Sequence, residues 1–226
     1  MHRLPCLLLA LALLTSPWRL AAAAAAPVDH DFARWENEVA AYEAQDRASP
    51  PPQGAILFAG SSTIRLWSTL AEDFPGRTVI NRGFGGTEIV DSTHLAGRLI
   101  FPHDPKVIFF RAGGNDLHNG KTPAQVFADF QEFVAVIHAR LPETVIWFIA
   151  WNPSIARLNE RPALHEFNSL VKGYCVGNPH VHYLDAESVS LDAAGKVRPE
   201  LFREDMLHFN AAGYKILAER VRPAVQ

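Results

Sequence analysis

Five short apolar runs, with helical patterns between them, constrain this chain more than any other feature. They are AILFA (55–59), TVIN (78–81), KVIFFR (106–111), TVIWFIAW (144–151) and the weaker VHYLD (181–185). Most are continuously apolar, as expected of strands covered on both faces. The clearest intervening helix starts at Thr122, with Pro123 in its first position. Val126, Phe127, Phe130, Phe133, Val134, Ile137 and Leu141 form its inward stripe, and Pro142 stops it. Strand and helix in alternation give a parallel sheet with helices on both sides. The expectation is a three-layer α/β/α sandwich around a five-stranded, flavodoxin-like sheet of order 2-1-3-4-5. Sites in such sheets form outside the carboxyl ends of the strands, where strand order reverses.

The two ends frame this pattern. His2 and Arg3 precede an apolar stretch from Leu7 to Leu14 and then an alanine run, the three-part order of a secretory signal. Residues 1–26 are therefore read as a signal peptide and 27–226 as one domain, exported to a periplasmic or extracellular space. The apolar stretch is too short to span a bilayer. Cleavage removes Arg3, Arg19 and Cys6 and moves the formal net charge from −3 to −5. That balance carries no basic excess for a nucleic acid. Cys175 is left unpaired, so no internal disulfide supports the fold. Phe32, Trp35, Val39 and Tyr42 recur at helical spacing, and the prolines from Pro50 end that helix. A last helix follows Asn210, with Tyr214, Leu217 and Val221 inward.

The segments after the strands hold the chemistry. GSS follows the first strand, NRGFGGT the second and AGGND the third, while EDMLHFNAAGY precedes the last helix. At one sheet edge they assemble a serine hydroxyl, glycine amides, an asparagine amide and an Asp–His pair, the parts of a serine acyl hydrolase. A serine hydroxyl needs an adjacent base, and His208 can take its proton and later return it. Asp205, three residues earlier, can hold the other ring N–H of His208 in a tight turn. Preorganised N–H donors then stabilise the charge that attack leaves on the carbonyl oxygen.

These four blocks resemble the SGNH hydrolases, also called GDSL esterases, over nearly the whole chain after residue 26. The resemblance implies Ser62 as nucleophile, Asp205 and His208 as its partners, and the Ser62 and Gly86 amides with the Asn115 side chain as oxyanion donors. Gly85 is the alternative if the second block slips by one. Ser61 stands where the family often has Asp, and Thr87 where Asp often follows the glycine. GSSTIRLW with NRGFGG is similar to the branch holding platelet-activating-factor acetylhydrolase-like and carbohydrate esterases, which implies short acyl groups. Ser61, Arg65 and Trp151 are the expected substrate-contacting residues. No metal or cofactor is implied, the partner is a small-molecule ester, and oligomeric state is left open.

Other readings compete. Ser61 or Ser62 alone could cap a helix. The same machinery could pass an acyl group to a sugar hydroxyl, or the fold could be a non-catalytic binding module or a nucleotide-binding flavodoxin relative. NDLHNGKT ends like a phosphate loop but has Asn115 where that motif needs glycine. His180 and His182 share a strand face without a third metal ligand at useful spacing.

Overall fold

The five apolar runs pair as parallel strands in a computed structural model that describes residues 30–225. The expected signal peptide, 1–26, lies outside the described residues. The chain divides at Asp31, and Phe32–Gln226 forms the unit that carries the sheet. Its strands are β1 (Ile56–Gly60), β2 (Val79–Gly83), β3 (Val107–Arg111), β4 (Val145–Ile149) and β5 (Val181–Leu184), in the order β2-β1-β3-β4-β5. The α/β/α class and the strand order therefore match the expectation.

Alternation along each strand splits the core between the two faces. Leu57, Ile108, Phe110, Ile146 and Phe148 face one way, while Phe58, Phe109, Ile149 and Leu184 face the other. The first set packs under α1 (Glu36–Ala48), α4 (Ile89–His94), α5 (Ala96–Leu99), α7 (Pro123–Arg140) and α8 (Arg161–Cys175). The second packs under α2 (Ser62–Arg65), α3 (Leu70–Asp73) and α9 (Ala211–Val221), through Ile64, Leu70, Tyr214, Leu217 and Val221.

Local chemistry sets the helix ends. Thr122 and Gln125 form a reciprocal capping box ahead of Pro123. Asn210 Oδ1 accepts the Ala212 and Gly213 amides at 2.9 and 3.2 Å, starting α9 just past His208. The N-terminal pattern forms a 3-10 turn (Phe32–Trp35) running into α1, with Val39 buried and Trp35 and Tyr42 against the core. Among the described residues, no helix is long and apolar enough to cross a membrane.

Candidate active site

Gly60 ends β1 at φ +130°, and a Cβ there would lie 2.1 Å from the Arg111 carbonyl oxygen. Only glycine lets β1 turn this close to β3. The chain then enters α2, with Ser61 at the N-cap and Ser62 as the first helical residue. Ser61 makes no capping bond through its side chain, so the helix-cap reading of that hydroxyl fails here.

The Ser62 hydroxyl lies 3.0 Å from His208 Nε2, and His208 Nδ1 lies 2.7 Å from Asp205 Oδ2. Asp205 Oδ1 accepts the Leu207 and His208 amides, each at 2.9 Å. The carboxylate thereby closes its own turn and faces the ring. Partial burial pushes its pKa up, but the His208 ring and the two amides outweigh that and hold the carboxyl down at about 2. An ionised Asp205 places the ring proton on Nδ1 and leaves Nε2 free to accept from Ser62.

The expected oxyanion donors keep N–H groups uncommitted. The Ser62 and Gly86 amides donate to no acceptor among the described residues. Gly86 sits at φ +75°, with the Trp35 ring 3.4 Å from where a Cβ would be. Asn115 starts its side-chain bonding with Thr87, donating Nδ2–H to that carbonyl at 2.9 Å, which leaves its second N–H available. Its Oδ1 accepts from Arg157 Nη1 at 3.1 Å, which fixes the direction of the amide. Arg157 was missed by sequence reasoning. It lies in the loop after β4 at the right sheet edge, but no spacing links it to Asn115.

A cavity of about 30 Å³ is walled in part by Thr63, Arg111, Gly114, Trp151, Arg157 and Leu207, with Ser62 and His208 themselves outside its lining. Thr63, Gly114 and Leu207 each adjoin a residue of the site in sequence. Trp151 lines the cavity, with its Nε1 donating to the Ala112 carbonyl at 2.8 Å. Ser61 does not: its side chain is fully buried, lines no part of the cavity and has an unpartnered hydroxyl. The extended backbone of Ser61 at the strand end turns its hydroxyl inward. Arg65 is exposed and also off the cavity, with its guanidinium against Gly85.

The remaining candidates resolve structurally. Lys121 of the phosphate-loop-like segment is held by Glu88, Asp116 and Asp129 at 2.7, 3.2 and 2.8 Å. His182 packs at a tilt against Trp147, and His180 packs edge-on against His138. No metal-holding cluster of His, Cys, Asp and Glu occurs among the described residues. Burial pushes the Cys175 thiol up to about 11, away from nucleophilic use.

Solved structures share the fold. A Streptococcus pneumonia protein named for platelet activating factor is 18% identical, with TM-score 0.74 over 84% of this chain and 92% of its own. An acylhydrolase from Bacteroides fragilis is 18% identical, with TM-score 0.71 over 81% and 93%. An acetylxylan esterase from Geobacillus stearothermophilus is 14% identical, with TM-score 0.60 over 77% and 95%. A search of curated proteins finds no match to the sequence. Residues 53–216, which hold every block described above, match the GDSL-like lipase/acylhydrolase family. The chain belongs to that family and is a hydrolase of ester bonds.

Proposed function

We propose that the protein is an exported serine esterase that cleaves short-chain carboxylic esters through an acyl-Ser62 intermediate. The hydrogen-bonded chain Asp205–His208–Ser62, at 2.7 and 3.0 Å, carries this reading. Ser62 Oγ attacks the ester carbon while its proton passes to His208 Nε2. The charge on the carbonyl oxygen meets the Ser62 and Gly86 amides and the spare Asn115 N–H. Collapse breaks the bond to the alcohol oxygen, which leaves with the proton from Nε2. Water then gives a proton to Nε2 and attacks the acyl carbon, and Ser62 leaves with that proton. Asp205 stays ionised throughout and stabilises the imidazolium.

The small cavity supports short acyl groups, as does the fold shared with an esterase of acetylated xylan. Signal-like residues 1–26 support export. The test is turnover of an aryl acetate beside labelling by a fluorophosphonate. In Ser62→Ala, kcat falls by about 10⁴ or more and labelling disappears while circular dichroism is unchanged. Retained turnover in that variant rejects the assignment.

A further inference from the structure

Arg111 is a buried cation with no acid paired to it among the described residues. Its side chain is 1% exposed at the end of β3. Nη1 donates to the Ala150 carbonyl and Nη2 to Asn152 Oδ1 at 2.6 Å, and both acceptors are neutral. Nε has no partner. Trp151 stacks on the guanidinium, 4.4 Å from Cζ to the ring centroid. Burial pushes the group down to about 9, against a small opposing effect of Tyr214. An unpaired buried charge is costly, and this one lines the cavity whose wall includes Thr63, Gly114 and Leu207, the sequence neighbours of Ser62, Asn115 and His208.

The rest of the lining does not neutralise it. Arg157 adds a second, half-buried guanidinium, which donates to the Gly114 carbonyl at 3.2 Å and to Asn115. Glu160 is the acid of the lining, and its Oε1 is bonded to His118 Nδ1 at 2.6 Å. A guanidinium offers five N–H donors in a plane that suits a carboxylate, and Arg111 uses two of its nitrogens on neutral oxygens.

We infer that this cavity binds a small carboxylate on Arg111. The inference rests on the esterase reading above, because it places the anion next to the acylated serine. The volume of about 30 Å³ admits about two water-sized groups, at roughly 10–15 Å³ each. That space limits the ligand to a carboxylate on a short stem. Two sources supply it: the acid released by hydrolysis, such as acetate, or the distal end of a malonyl-type acyl group.

The test begins with Ser62→Ala protein and calorimetric titration with acetate and with its neutral isostere acetamide. Acetate should bind at least about tenfold more tightly. Equal or weaker binding of acetate overturns the inference, and this comparison needs no change at Arg111. Adding Arg111→Met should remove the difference in a protein with unchanged circular dichroism, and a difference that survives in that folded variant also overturns it. Turnover of an aryl hemimalonate against an aryl propionate by the wild type separates the sources. Preference for the hemimalonate assigns the anion to the acyl group, and no preference assigns it to the released acid. The binding arm uses an inactive variant, so it stands apart from failure of the esterase reading, which shows as turnover unaffected by Ser62→Ala.

Discussion

Asp205 draws its low pKa from three N–H donors, two of them backbone amides of its own turn. An Asp depressed from about 3.9 to about 2 contributes stability that is complete above the unfolded value and lost as pH falls towards 2. Wild type and Asp205→Asn should therefore differ in Tm at pH 6, draw together as pH falls below about 4 and converge below about pH 2, as thermal melts across that range would check. The same substitution removes the carboxylate that stabilises the imidazolium, so kcat should fall by about 10⁴ at neutral pH. Gly60 is a different kind of determinant. A side chain at φ +130° with the Arg111 carbonyl 2.1 Å away forces β1 and β3 apart. Gly60→Ala should lose several kcal/mol, on the order of 3 or more, seen as a large drop in urea midpoint.

At the scale of elements, the loops that carry Gly86 and Asn115 are laced together. Asn115 reaches Thr87, Asn119 Nδ2 donates to Glu88 Oε1 at 2.6 Å, and Lys121 bridges Glu88 and Asp116. Asp116 in turn accepts the Ile89 amide at 3.1 Å, at the start of α4. Lys121→Met should loosen both loops and lower kcat by about 10- to 100-fold, because small misplacement of reacting groups is costly. Steady-state kinetics should show kcat moving more than KM. Burial pushes the Asp116 carboxyl up to about 6, against the pull of Lys121 and the Ile89 amide. A carboxyl raised above its unfolded value favours the folded state below about pH 4 and loses that contribution as pH rises through 6. Asp116→Asn does not titrate, so its Tm should gain on wild type between pH 4 and 6.

Across the whole molecule, one sheet joins two cores. Phe110 stacks on Phe133 of α7 at 3.9 Å between centroids, while Phe58 stacks on Phe109 at 4.8 Å on the opposite face. Both side chains are fully buried. Phe58→Ala and Phe110→Ala should each cost about 3–5 kcal/mol. Because the strands are shared, each should shift a single transition with coincident near- and far-ultraviolet dichroism midpoints. Separate transitions for the two faces would contradict a shared sheet.

Much of this organisation was legible in the chain. Apolar runs located all five strands to within a few residues, since burial on both faces demands continuous apolar sequence. The long run 144–151 overshot β4, whose strand ends at Ile149, because apolar residues continue into the wall of the site at Trp151. The short helices α2 to α5, and α6 (Gly114–His118), carried little periodicity, being four to six residues long. Asp205 and His208 were legible as a pair because their contact spans three residues. The burial of Ser61 was not legible, since whether a strand-end hydroxyl points inward depends on neighbouring backbone.

The sequence by itself determined the alternation of strands and helices, the local turns and caps, and the residue types at each strand end, because hydrophobic period and turn chemistry act over a few residues. Only the tertiary structure decided that Arg157 orients Asn115, that Lys121 ties two loops, and that Arg111 lies buried without an acid. The contacts Arg157–Asn115, Arg111–Ala150 and Lys121–Glu88 join residues 42, 39 and 33 positions apart, and it is the packing of helices on a shared sheet that brings such distant side chains within bonding distance.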